Sequence, residues 1–230
     1  MEQSAVLRPR PDRLNGLSVS RIVERLSRLG DRPALSDMGV SDRLVAEAAL
    51  LSATPGREAW RPEIATTHPA GVLVALVGDG DDLSVILTRR TEHLKHHAGQ
   101  ISFPGGGAEP GDGSIDATAI REAREEVGLN PAGVRVLGHL PEYVTLSAYR
   151  ITPVIAAVEP PEAFRPEPFE VAEVFMAPLS HLLDPANHQR HFREENGRRR
   201  GYYGIPWNNR LIWGATAGIL VNFSHLMLAE

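Results

Sequence analysis

Ser114-Ile115-Asp116-Ala117-Thr118-Ala119-Ile120-Arg121-Glu122-Ala123-Arg124-Glu125-Glu126-Val127-Gly128-Leu129 reads as a helix with both ends marked. Ser114 offers a hydroxyl for the N-cap, Asp116 suits the positive first turn, and Gly128 followed by Asn130-Pro131 stops the helix. Ile115, Ala119, Ala123 and Val127 recur every fourth residue and predict a buried stripe. Glu122, Glu125 and Glu126 then share the opposite, exposed face. Like charges at these spacings repel by roughly 0.2–0.5 kcal/mol per pair. A divalent cation reverses that sign. Magnesium and manganese favour carboxylate oxygen and complete their shells with substrate phosphate, so the trio suits phosphoryl chemistry. Without a cation, the same glutamates make a solvated face paired with Arg121 and Arg124.

The segment just upstream separates those readings. Phe103-Pro104-Gly105-Gly106-Gly107 has no side chain at its last three positions, so its backbone can approach an ion or a phosphate closely. It is not a P-loop, because no Gly-Lys-Ser/Thr follows and Lys95 is the only lysine. Nor does the chain contain Gly-x-Gly-x-x-Gly, Gly-x-Ser-x-Gly or His-Glu-x-x-His, which removes dinucleotide-binding, serine-hydrolase and zincin readings.

Working outward, 230 residues with 42% hydrophobic and 23% charged side chains match an ordinary globular protein. A formal charge of −5 argues against broad adhesion to nucleic acid or to an anionic membrane. The absence of cysteine removes disulfides and thiolate chemistry and suits a reducing compartment. With no apolar signal core near the start and no run long enough to span a bilayer, the chain reads as cytoplasmic. Residues 1–65 show helical periodicity at 18–29 and 42–51, a turn-prone stretch at 37–41 and no strand pattern, so they predict a helical N-terminal extension. Residues 66–230 form the second unit. Strands are expected at 72–77 and 83–88, joined by Gly78-Asp79-Gly80-Asp81-Asp82 as a hairpin, and at 134–140, 151–158 and 171–176. A helix is expected over 213–228, and 188–204 reads as an exposed, arginine-rich turn. His93, His96 and His97 lack zinc-like spacing and read as surface or substrate-contact residues.

Taken together, Gly106-x5-Asp112-x8-Arg121-Glu122-Ala123-x-Glu125-Glu126-x-Gly128-Leu129 resembles the Nudix box. Two departures stand out: Asp112 replaces a glutamate, and one extra residue precedes Arg121. The resemblance implies an α/β fold, a Nudix-type α/β/α sandwich with a mixed sheet, and Mg2+ or Mn2+ as cofactor. By the same resemblance Glu122 and Glu126 ligate the metals, with a carbonyl of Gly105 or Gly106 adding a ligand. Glu125 joins them or orients the water, and Arg121 positions the glutamates. Glu170 or Glu173 would supply a further acid.

Ile86-Leu87-Thr88-Arg89-Arg90-Thr91, then Lys95, Gly99 and Phe103-Pro104-Gly105-Gly106, is similar to the motif of the coenzyme A diphosphatase branch of that family. Thr91 stands for a smaller residue and Lys95 for an arginine, which keeps charge but loses the bidentate fork. The implied substrate is coenzyme A or a related nucleoside diphosphate derivative, bound by Arg90, Lys95 and Gly99, with homodimers common in the family. Arg89, Arg90 and Lys95 also supply the positive charge that a phosphate-rich ligand needs in an acidic protein. A second basic cluster, Arg190, Arg193 and Arg198 to Arg200, reads as solvated. Alternatives are the same chemistry on another nucleoside diphosphate derivative and, from a different class, a non-hydrolytic ligand-binding module.

Overall fold

The computed structural model describes residues 14, 16–30, 33–52, 66–94, 97–195 and 198–229. Its centre is β2 (His68–Val77), whose unbroken apolar run from Val72 is the pattern of a strand covered on both faces. β3 (Ser84–Arg90) turns back antiparallel, with Leu76 opposite Val85. Along its other edge β3 pairs antiparallel with β9 (Val171–Pro178), and a bulge falls between Arg89 and Arg90. The short β4 (Ile101–Ser102) pairs with the end of β3, and β5 (Gly105–Gly107) pairs with β2. On the far side β8 (Tyr149–Val158) runs parallel to β2 and carries β6 (Val134–His139) and β7 (Tyr143–Val144) antiparallel. The sheet is therefore mixed.

Alternation along β2 assigns the two faces. Leu73 and Ala75 pack with Ala119, Ala123 and Val127 of α3 (Ile115–Val127), while Val72, Val74 and Leu76 join the cluster that holds Ile219, Leu220 and Phe223 of α5 (Ala215–Leu228). Helices on both faces complete the α/β/α sandwich. The approach of α3 is close: a Cβ on Gly71 would lie 2.7 Å from the Ile115 carbonyl oxygen. No helix among the described residues is long and apolar enough to cross a membrane.

The N-terminal helices α1 (Val19–Ser27) and α2 (Asp37–Ser52) are present, and Ile22, Val40 and Leu44 enter the α5-side core. Three sequence readings need correction. The stretch 37–41 is the first turn of α2, not a turn between helices, because Asp37 takes up the positive helix start. That region also contributes a strand, β1 (Leu35–Ser36), paired parallel with β7. The stretch 188–204 is no exposed turn but holds β10 (Gln189–Glu195) and β11 (Arg198–Trp207), which with β12 (Arg210–Trp213) form a second antiparallel sheet. Arg190 pairs there with Glu47 at 3.2 Å, and the Arg199 guanidinium lies 4.0 Å from the Phe192 ring centroid.

Candidate active site

The carboxylate helix begins and ends where its caps require. The Ser114 hydroxyl accepts from the Ala117 N–H at 3.1 Å, and Gly128 takes the left-handed conformation at φ 74°. The glutamates do not share one exposed face, however. Glu125 is exposed, Glu122 is half-buried, and Glu126 is only 5% exposed. The cause is tertiary. The glycine loop packs over the helix, and the Gly105 N–H donates to Glu126 Oε2 at 3.1 Å. Only residues without side chains fit there: a Cβ on Gly106 would sit 2.5 Å from Glu122 Oε1, and one on Gly105 would sit 2.5 Å from the Gly71 carbonyl oxygen.

Arg121 ties the acids to the loop. Its Nη1 donates to Glu122 Oε1 and to Glu125 Oε2, each at 3.0 Å, while Nη2 donates to the Gly107 carbonyl at 3.1 Å. Asp112 holds the other edge of the guanidinium, accepting from Nε at 2.7 Å and from Nη2 at 3.2 Å. The extra residue before Arg121 thus still permits a bidentate clamp, and the Thr118 hydroxyl and the Glu109 N–H complete the carboxylate's partners. The Arg121 hydrogen bond, aided by the Glu109 N–H, holds the Asp112 carboxyl well below the usual range.

Arg90, from the end of β3, reaches this cluster. Its Nη1 lies 3.9 Å from Glu126 Oε1 and its Nη2 lies 3.4 Å from Glu170 Oε2. Glu170 also repels the charges of both Glu122 and Glu126. Glu173 turns elsewhere, paired with Arg89 and Arg210. Of the two acids left open by spacing, Glu170 is the one beside the carboxylate helix. Gly99 adopts φ 67° in the loop leading to β4, where a Cβ would press within 2.6 Å of a Glu92 carboxylate oxygen. Lys95 and His96 lie outside the described residues. His93 packs on Phe169 with ring centroids 4.8 Å apart, and His97 bonds Gln100 at 2.7 Å, in keeping with surface roles.

Burial pushes Glu126 up to about 8, and the Glu122 charge adds to the shift against the pull of the Gly105 N–H and Arg90. Burial raises Glu122 as well, opposed by Arg121. Among the described residues no three acidic or histidine side chains stand gathered as a ready-made metal set, because Arg121 draws Glu122 and Glu125 to itself. The donors nonetheless fit a hard cation: all are carboxylate or backbone oxygens, and a buried carboxylate held near neutrality is a group that positive charge would ionise. Arg89 and Glu173 are each legible as candidates, but their joining with Arg210 is not, because the three lie 84 and 37 positions apart.

The NUDIX domain family model matches residues 67–195, more than half of the chain, including the glycine loop and the carboxylate helix. The chain belongs to the Nudix family. It is a Nudix hydrolase, and its reaction class is hydrolysis of a diphosphate bond with the divalent cations that Nudix hydrolases generally use. Curated relatives include the uncharacterized Nudix hydrolase NudL of Photorhabdus laumondii, 39% identical over 137 residues that cover 60% of this chain and 73% of the relative. The NudL of Shigella boydii is 37% identical over 155 residues, covering 66% and 78%. Among solved structures, the Nudix hydrolase RenU of M. smegmatis shares 23% identity over 55% of this chain and 76% of that one, with a TM-score of 0.41. The Nudix match ends before β11, β12 and α5.

Proposed function

We propose that this Nudix hydrolase cleaves the diphosphate of coenzyme A or its thioesters to 3′,5′-ADP and 4′-phosphopantetheine or its acyl derivative. The observation that carries the reading is that Arg90, part of the coenzyme A-type motif in the sequence of residues 86–106, lies within 3.9 Å of Glu126. The departure at Thr91 has a structural reason, since its hydroxyl donates to the Phe169 carbonyl at 2.7 Å. Lys95 remains the one substitution that favours a second reading, another nucleoside diphosphate derivative.

Glu122, Glu126 and a carbonyl of Gly105 or Gly106 would hold Mg2+ or Mn2+, with Glu125 and Glu170 alongside. Such cations supply neutralising charge for the diphosphate and for the departing phosphate. Arg90 faces the diphosphate and fixes its orientation. Arg121 keeps Glu122 and Glu125 in register with the loop through its hydrogen bonds to both glutamates, Asp112 and the Gly107 carbonyl. Glu125, exposed and held by Arg121 through only one oxygen, takes the proton of the attacking water on the other. Water adds to one phosphorus, the bridging P–O bond breaks, and two phosphate monoesters leave. We place this activity in the cytoplasm, in keeping with a cysteine-free chain.

Chromatography of the products formed from coenzyme A with magnesium and with manganese tests the proposal. The expected products are 3′,5′-ADP and 4′-phosphopantetheine, and coenzyme A is expected to outcompete dinucleotide polyphosphates and nucleotide sugars. Intact coenzyme A beside turnover of one of those competitors would overturn the assignment in favour of the second reading.

A further inference from the structure

Behind β3, on the face away from α3, lies an open cleft of about 830 Å³. Its volume falls within the roughly 300–1,000 Å³ of small-molecule sites. Arg89, Gly99, Glu173, Asn208, Asn209 and Arg210 supply its polar lining. Asn208 and Asn209 come from the turn between β11 and β12 and Arg210 from the start of β12, beyond the part of the chain that matches the family.

We propose that this cleft is a second anion subsite, which takes a phosphate monoester carried by the substrate away from the bond that is cut; this rests on the coenzyme A reading above. Two guanidinium groups here face the Glu173 carboxylate, and Arg89 Nη1 also lies 3.9 Å from the exposed Glu92 carboxylate at the rim. Glu173 accepts from Arg89 Nε at 3.2 Å, and from Nε and Nη2 of Arg210. Each guanidinium carries five N–H donors, so most of the donors in the pair are left for another acceptor. The planes are held ready: Glu173 braces both groups, and Arg210 stacks on Phe175 with its carbon 4.4 Å from the ring centroid. The cluster is not sealed into the core, since the Arg89 and Arg210 side chains keep 36% and 25% of their exposure. Among the described residues neither the Asn208 nor the Asn209 side-chain amide bonds to protein, and Asn208 is held at φ 50° by the turn. Fixed guanidinium forks flanked by free amides are the donors that a phosphate dianion takes.

The link to the reaction is the strand itself. At the bulge that ends β3, the consecutive Arg89 and Arg90 go different ways, Arg89 lining the cleft and Arg90 reaching Glu126. Gly99 borders the same cleft and lies in the loop that leads to the glycines over the carboxylates. A substrate with phosphate groups in two places can therefore grip the end of β3 from both sides.

Calorimetric titration of the full chain with adenosine 3′,5′-bisphosphate and with adenosine 5′-monophosphate tests this, each protein serving as its own control. The wild type should favour the bisphosphate by on the order of tenfold, the scale of one charge-assisted hydrogen bond. Arg210→Ala should reduce that preference to about twofold or less. Asn208→Gly, which tolerates the left-handed backbone, should reduce it by about threefold. Equal affinity for the two ligands in the wild type, or a preference that survives both substitutions, would overturn the subsite. Failure of coenzyme A as a substrate alongside an intact, Arg210-dependent preference would instead overturn the substrate assignment alone.

Discussion

The two faces of β3 carry opposite charge arrangements around neighbouring residues. On the α3 side, Glu126 and Glu170 flank the guanidinium of Arg90; on the other, Arg89 and Arg210 both pair with the carboxylate of Glu173. The consequences are opposite too. Burial and repulsion lift Glu126 to about 8, whereas hydrogen bonds from Arg210 and Arg89 lower Glu173. An acid that the fold leaves short of positive charge marks a place for a cation, and an acid already saturated by arginine marks a brace.

The largest expected effect breaks the first face. Glu126→Gln should lower kcat by about 10²–10⁴-fold while far-ultraviolet circular dichroism stays that of the wild type. The sign of its pH dependence follows from the raised carboxyl. In metal-free protein the folded state prefers the protonated form, so wild-type stability falls as pH rises from the ordinary value of 4.5 towards about 8. Melting in chelator at pH 8 should therefore find Glu126→Gln at least as stable as the wild type, and magnesium should raise the wild-type melting temperature but not that of the variant.

A paired substitution sharpens the contrast. Glu170→Gln should lower kcat by about 10–100-fold, as a group that orients ligands does. Glu173→Gln, which loosens the brace on Arg89 and Arg210, should act mainly on KM, raising it for coenzyme A by severalfold. Steady-state kinetics on the two variants separate the faces, and equal losses of kcat would erase the distinction drawn between them.

The smallest effect concerns Asp112, which braces rather than reacts. Its carboxyl is lowered by Arg121, so its contribution to stability is complete above the ordinary value of 3.8 and is lost as pH falls through the still lower folded-state value. Asp112→Asn should melt below the wild type at pH 7, with the gap closing only in strong acid.

Local signals explain what could be read in advance. The bounds of α3 match expectation residue for residue because Ser114 and Gly128 act within one turn of the helix they end. The burial of Glu126 escaped the same reading, since helical periodicity knows nothing of a loop that folds back across 21 positions. β10 and β11 were hidden for a different reason: Arg193 faces Arg200 and Glu194 faces Arg199, so the strands lack the apolar alternation by which strands are recognised. The cleft is assembled from three distant segments and leaves no spacing to detect.

Tyr143, 1% exposed, donates its phenol proton to Asp37 at 2.9 Å, and the Leu146 N–H reaches the same carboxylate at 3.0 Å. Anyone trimming this chain to its family boundary at residue 67 would delete that acceptor and strip β1 from β7. The shortened protein would carry an interior hydroxyl with nothing to bond and an open ribbon edge inviting self-association, so the leader segment has to travel with the catalyst in any practical use of it.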